Sequence, residues 1–157
     1  MNKPLMTQPK EDFMSAALVQ AELAAHRGEI PVGAVIVCTD QVVSAFGNEI
    51  LEQHDPTAHA EILAIRKAAQ KMNMVRLTEC DLYVTLEPCP MCAQAISLAR
   101  IRRLYFGAYD PKGGGVDHGP QIFNHKTCHH KPEVVGGIQE KECAAILQTF
   151  FESRRIY

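Results

Sequence analysis

The chain has 157 residues, of which 46% are hydrophobic and 22% charged, and its formal net charge is −2. These values fit a single globular domain over residues 1–157, and no repeat or low-complexity segment is visible in the sequence. The nearly neutral charge gives no overall preference for nucleic acid, so any such preference must come from local basic clusters.

The N-terminus lacks the apolar segment of a secretory signal, and the longest apolar run, residues 32–38, is too short to cross a bilayer. We therefore expect a soluble, cytoplasmic protein with no membrane partner. Two of the six cysteines, Cys38 and Cys143, lie among apolar neighbours, and without a secretory signal we expect no disulfides.

The first elements in the chain are a helix and a hairpin. Apolar residues recur every three to four positions over residues 10–28, which predicts an amphipathic helix. Two β-branched runs, residues 32–38 and 41–46, are separated only by Thr39 and Asp40, which predicts a tight antiparallel hairpin. The first run is apolar throughout, so its strand should be buried on both faces.

A polar loop over residues 47–57 leads into the next helix. Asp55 is the predicted N-cap and Pro56 the first helical residue, so the helix should run over residues 56–71. A strand at 81–86, a helix at 89–99 and a strand at 103–107 follow. This order predicts a parallel strand–helix–strand crossover.

The last third of the chain gives weaker signals. Residues 110–120 contain four glycines, which predicts a flexible loop, and ordered structure resumes only weakly at 121–124. Residues 132–135 suggest a short last strand. The final helix is predicted over 139–155, and it should pack on the sheet through an apolar stripe of Cys143, Leu147, Phe150 and Phe151.

Two motifs at predicted helix starts carry the chemistry. His59 and Glu61 lie two residues apart in the first motif, and Cys89 and Cys92 lie three apart in the second. One His and two Cys form a three-ligand zinc set that leaves a fourth tetrahedral position for water, with Glu61 left over as a proton carrier. Helix N-termini also favour the thiolates and a hydroxide. The pattern predicts Zn²⁺-dependent hydrolysis.

Each motif alone has other interpretations. Cys-x-x-Cys is also typical of a redox dithiol or a structural zinc knuckle, and an isolated His on a helix is more often a core residue. A non-catalytic subunit with structural zinc is a further alternative. It would need a fourth ligand and would have no use for the uncoordinated carboxylate of Glu61, so the two motifs together favour a catalytic site.

His-x-Glu with Pro-Cys-x-x-Cys is the signature of zinc-dependent nucleobase deaminases. The chain resembles the bacterial tRNA-specific adenosine deaminases, of the zinc-dependent cytidine/deoxycytidylate deaminase superfamily, over most of its length. The resemblance is carried by residues 29–35, 48, 55–61, 83–92, 103–108, 124–125, 142–145 and 150–151. It departs from the family between residues 110 and 131.

This resemblance implies a three-layer α/β/α cytidine-deaminase-like fold with a central mixed sheet of about five strands. It also implies a homodimer that converts adenosine to inosine at the wobble position of a tRNA anticodon stem-loop. A free-base or nucleotide deaminase, such as a guanine or cytosine deaminase, shares the same zinc motifs and remains the alternative. By residue, the resemblance assigns zinc to His59, Cys89 and Cys92, proton transfer to Glu61, and the base pocket to Asn48, Ala34 and Pro88.

Other side-chain groups remain open to two interpretations. Cys128, His129 and His130 could form a second metal site, but such a run more often lies on a solvated loop. The apolar residues Met91, Ala95, Leu98 and Ala99 could form a dimer interface or plain core. Three basic groups could contact phosphates or simply be solvated: Arg100 with Arg102 and Arg103; Lys126 with His129, His130 and Lys131; and Arg154 with Arg155.

Overall fold

The computed structural model describes residues 11–154, so Lys10 and Arg155, predicted to be helical, lie outside the described residues. In chain order these residues form α1 (Glu11–His26), β1 (Gly33–Cys38), β2 (Gln41–Gly47), α2 (Ala60–Met72), β3 (Cys80–Leu86), α3 (Pro90–Leu98), β4 (Arg103–Ala108), a 3-10 turn (Ile122–Asn124), β5 (Glu133–Val135) and α4 (Glu140–Arg154).

Within the described residues a five-stranded mixed sheet has the order β2-β1-β3-β4-β5. β1 is antiparallel to β2 and β3, whereas β3, β4 and β5 are mutually parallel. Helices α1 and α4 cover one face, and α2 and α3 cover the other. The predicted three-layer α/β/α fold and the parallel crossover through α3 are confirmed.

β1 lies between β2 and β3 and is buried on both faces, as predicted. Ala34, Ile36 and Cys38 point into the core beneath α2 and α3, while Val35 and Val37 point into the core beneath α1. The predicted hairpin after β1 is also confirmed. Its two turn residues, Thr39 and Asp40, have φ angles of 51° and 60°, which match the right-handed twist of paired strands.

Helix α1 lies very close to the sheet at Gly33. A Cβ atom added to Gly33 would lie 1.9 Å from the carbonyl oxygen of Ala17, so only glycine fits there. The amide of Gly33 also donates a hydrogen bond to Thr85 Oγ1 on β3, over 3.1 Å. α1 and β1 are thus packed backbone to backbone next to the strand end that leads to the site.

The start of α2 was predicted wrongly. The helix begins at Ala60 with His59 as its N-cap residue, and not at Pro56. Asp55 Oδ1 instead accepts hydrogen bonds from the N–H and the hydroxyl of Thr57, at 2.9 and 2.7 Å, which forms an Asx-type turn. The turn delays the helix, so that His59 immediately precedes it and Glu61 lies in its first turn.

The expectation of no disulfides was also wrong. Cys38 at the end of β1 is paired with Cys80 at the start of β3, and their sulfur atoms are bonded. The two Cα atoms lie 4.6 Å apart in the antiparallel register. The sequence does not reveal this because the partner of each strand residue depends on long-range pairing. Cys89, Cys92, Cys128 and Cys143 are free.

Helix α4 packs on the sheet through Cys143, which is fully buried against β4. Phe151, the last residue of the predicted stripe, is instead 43% exposed, so the stripe is buried only in part. None of the helices formed by residues 11–154 is long and apolar enough to span a membrane.

Candidate metal centre

The imidazole of the site is fixed by the start of α2. His59 has extended backbone angles (φ −71°, ψ 150°) as the N-cap residue, and its carbonyl accepts the N–H of Leu63. In the first turn of the helix, the side chain of Glu61 is buried. The free N–H groups of the helix start favour negative charge at this position.

The two thiols are fixed in the same way by the start of α3. Cys89 is the N-cap residue with φ −68° and ψ 170°, and Pro90 occupies the first helical position. Cys92 lies three residues later in the first turn and is fully buried. β3 ends at Leu86, so Cys89 is placed by the connection between this strand and α3.

The three ligand atoms are brought together as predicted. His59 Nδ1 lies 3.7 Å from Cys89 Sγ and 3.5 Å from Cys92 Sγ. A tetrahedral zinc ion with ordinary Zn–S and Zn–N bonds separates such atoms by about 3.6 Å. Among residues 11–154, His59, Cys89 and Cys92 form the group able to hold a metal ion. Donor type and spacing therefore both fit Zn²⁺.

The pKa values of the two thiols are strongly coupled. A hydrogen bond from Cys92, opposed by burial and aided by His59, lowers the pKa of Cys89 to about 4. The pKa of Cys92 is raised, first because of its neighbour Cys89 and then because of burial and Glu61. The lowered pKa of Cys89 favours its thiolate form, which is the form that binds a metal. A coordinated cation also deprotonates the second thiol.

The pKa of Glu61 is raised to about 6, mainly by burial and also by the negative charge of Cys89. A carboxyl group with a pKa near neutrality can both accept and return a proton. Glu61 is outside the group of metal-binding residues, although it lies beside Cys92. Its position and protonation fit proton transfer rather than coordination.

Asn48 is tied to the same helix start. Its Oδ1 accepts the N–H of Ala60 over 2.8 Å, and its Nδ2 donates to the carbonyl of Ile30 over 3.1 Å. The other two predicted pocket residues are also buried: Ala34 lies on β1 opposite Val84, and Pro88 directly precedes Cys89. The structure thus places Asn48 and Pro88 next to the metal-binding group.

Two buried carboxylates near the site were not predicted as organising residues. Glu29 accepts the N–H groups of Leu51 and Glu52 and so shapes the loop before His59. Glu87 accepts several N–H groups from residues 110–118. The predicted flexible loop is therefore closed around a buried charge. The Glu-Pro-Cys motif was visible in the sequence. The loop that its glutamate binds lies more than twenty residues further along the chain, so the sequence pattern did not connect the two.

The arginine cluster near the third helix does not lie at the metal-binding group. Arg102 and Arg103 are at the amino end of β4, whereas Cys89 follows the carboxyl end of the parallel strand β3. Arg102 pairs with Asp81 over 3.0 Å, and Arg103 pairs with Glu133 over 3.2 Å. The suggestion that these two arginines contact phosphates near the site was wrong.

In the group formed by Lys126, Cys128, His129, His130 and Lys131, three side chains form hydrogen bonds with nearby protein groups. Cys128 Sγ lies 3.1 Å from Ser97 Oγ, and His130 Nε2 lies 2.7 Å from the carbonyl of Ile101. Lys131 donates to Asn124 over 3.1 Å. His129 and Lys126 are exposed and stay candidates for phosphate contacts.

The family model of the cytidine and deoxycytidylate deaminase zinc-binding region matches residues 7–108, which include both motifs. A tRNA-specific adenosine deaminase of Agrobacterium fabrum is 54% identical over 92% of this chain and 95% of its own length.

Two solved structures are similar as well. One, from studies of A-to-I editing by tRNA:A34 deaminases at the wobble position of transfer RNA, is 54% identical, has a TM-score of 0.87, and aligns over 88% of this chain and 100% of its own. The other is a guanine deaminase of Bacillus subtilis, 38% identical with a TM-score of 0.62 over 65% of this chain and 66% of its own. With the geometry of the two motifs, these similarities show that the chain belongs to the zinc-binding cytidine and deoxycytidylate deaminase family.

Proposed function

We propose that this protein deaminates adenosine to inosine at the wobble position of a tRNA anticodon, by zinc-dependent hydrolysis. The observation that carries this proposal is the convergence of His59, Cys89 and Cys92, with the buried Glu61 beside them and outside the ligand set. Hydrolysis consumes one water and releases ammonia from the exocyclic amine of adenine.

In this proposal His59, Cys89 and Cys92 hold zinc. Bound zinc lowers the pKa of a water from about 16 to roughly 7 and so supplies a nucleophile at neutral pH. Glu61 takes the proton of the attacking water and delivers it to the leaving amine, for which its pKa of about 6 is suited. Burial of Glu61 excludes bulk water from this transfer.

Asn48, Ala34 and Pro88 are proposed to shape the base pocket. The two hydrogen bonds of Asn48 leave one N–H and one lone pair of its amide for a base. The identity of the base rests on the tRNA-specific relatives, which match nearly the whole chain, whereas the guanine deaminase matches about two thirds of it. A free-base deaminase remains the second candidate, supported by that similarity.

The anticodon stem-loop is the proposed partner, with exposed Lys126, His129 and Arg154 as phosphate contacts. We place the reaction in the cytoplasm, where tRNA is used, and treat residues 1–157 as one deaminase domain. The proposed active form is a homodimer. Its interface would include Met91 and Leu98, which are 37% and 65% exposed on α3, whereas Ala99 is core. Light scattering at micromolar concentration tests the dimer.

The direct test is product analysis. Purified protein is incubated in parallel with an adenosine-containing anticodon stem-loop, free adenosine, guanine and cytidine. Inosine in the stem-loop, with release of ammonia, is the expected result. Conversion of guanine alone would replace the proposal by the second candidate.

A further inference from the structure

The carboxylate of Glu87 is the centre of a compact loop beside the metal-binding group. Its side chain is fully buried. Oε1 accepts a hydrogen bond from the N–H of Asp110. It also forms a hydrogen bond with His118 Nδ1 over 2.7 Å. Oε2 accepts the N–H groups of Val116, Asp117 and His118, at distances of 3.1 to 3.3 Å. The loop is wrapped around this single side chain.

The same loop is pressed against the backbone that carries Cys89. The N–H of Gly115 donates to the carbonyl of Pro88 over 2.8 Å. A Cβ atom added to Gly115 would lie 2.6 Å from Pro90 N and 2.9 Å from the carbonyl carbon of Cys89. The loop therefore contacts the residues on both sides of the ligand.

We propose that Glu87 is a positioning residue, which pre-orders the backbone of the ligand Cys89 by holding residues 110–118 against it. Glu87 itself need not touch substrate or metal. A three-ligand site requires its ligands to be placed before the ion binds, and supporting contacts of ligands usually decide how well this is achieved. The inference rests on the proposed function only through the zinc site, and it holds whichever base is deaminated.

The chemistry requires a carboxylate and not merely a polar side chain. An ionised carboxylate accepts hydrogen bonds at both oxygens and donates none, which matches a loop that presents four backbone N–H groups and the ring nitrogen of His118. In Glu87→Gln, one oxygen is replaced by an NH₂ group that faces N–H donors and cannot accept from them. The size of the side chain is unchanged, so loss of order in the loop reports the lost acceptor.

The test compares four variants by two readouts besides activity. Zinc affinity is measured by competition with a chromophoric chelator, and amide hydrogen exchange is measured for residues 110–118. The matched control is Asp81→Asn, which alters a buried carboxylate at the other end of β3, where it pairs with Arg102. His118→Ala removes one donor to Glu87. His118→Asn restores an N–H donor at about the position of Nδ1.

We expect Glu87→Gln to weaken zinc affinity by about 10- to 100-fold and to speed exchange in the loop, with Asp81→Asn changing neither. His118→Ala should show the same two changes more weakly. His118→Asn should return zinc affinity and loop exchange towards the values of the unmodified protein. If Glu87→Gln does not fold, the two His118 variants decide. Faster exchange with unchanged zinc affinity overturns the proposal. Loss of zinc affinity in a protein that acts on guanine would support it and refute only the adenosine substrate.

Discussion

Asn48 Oδ1 accepts the backbone N–H of Ala60 over 2.8 Å. This bond ties the loop that leaves β2 to the first residue of α2, directly after His59. The amide nitrogen of Asn48 is held in turn by the carbonyl of Ile30. The residue proposed to hold the base is therefore bonded to the backbone directly after a residue proposed to hold zinc.

Asn48→Ala should cost both stability and activity. It leaves the N–H of Ala60 without its acceptor, whereas the carbonyl of Ile30 still accepts the N–H of Val32. An unsatisfied buried group costs about 1–3 kcal/mol. Ser44→Ala is the matched control, because Ser44 Oγ donates to Ala64 further along α2. Denaturant unfolding should show a loss in both variants, whereas kcat/KM should fall only in Asn48→Ala. Equal kcat/KM in the two variants would remove Asn48 from the pocket.

Glu61→Gln should retain zinc and the fold but lose turnover. The amide keeps the shape of the side chain and cannot carry a proton between water and the leaving amine. General acid–base groups contribute about 10²–10⁴ in rate, and a group that serves both steps should lie near the top of this range. Single-turnover kinetics and metal content are the measurements. A rate within a few-fold of the unmodified protein would contradict the assigned role.

The protein should bind one zinc per chain, and Cys89→Ala should lose it. Binding must displace the proton of Cys92, whose pKa is raised, and that of any protonated His59, whose pKa is raised chiefly by Cys89. Affinity should therefore fall as pH falls, because zinc must displace these protons, and one to two protons should be released per zinc. Metal analysis and calorimetry in buffers of different ionisation enthalpy check this. A pH-independent affinity, or two zinc ions per chain, would exclude the site.

The Cys38–Cys80 pair should be reducible without loss of zinc, because it lies at the end of β3 remote from Cys89. Alkylation of the unfolded, metal-free protein should label four cysteines after air oxidation and all six after reduction. Reduction should lower the free energy of unfolding by about 2–4 kcal/mol. Six labelled cysteines without any reductant would show that the pair does not form.

The parts of the fold and site that the sequence predicted depend on local patterns. The three-to-four periodicity of α1, the Thr39-Asp40 turn and the apolar run of β1 are each contained in one short segment. The spacing of Cys89 and Cys92 is likewise local, and the helix start brings both thiols within 4.8 Å of each other. The prediction that His59 lies beside the two thiols followed from placing both motifs at helix starts next to the same sheet.

The failures concern contacts between distant or competing groups. Asp55 was predicted as a helix cap, but its carboxylate has a nearer partner in Thr57. The pairing of Cys38 with Cys80 depends on the register of two strands. Glu87 could be noticed beside Pro88 and Cys89, but its donors lie more than twenty residues away, and glycine content alone did not indicate that this loop is bonded to Glu87.

The most direct test of the account is kcat/KM for anticodon stem-loops with adenosine or guanosine at the wobble position, beside free adenosine and guanine, at 50 and 200 mM salt. A loop base is already partly unstacked, and neighbouring nucleotides add phosphate and stacking contacts that free adenosine lacks. We predict that the adenosine stem-loop is by far the best substrate. With two or three phosphate contacts, its kcat/KM should fall roughly ten-fold over this salt range. Faster, salt-independent turnover of free guanine would contradict the central claim.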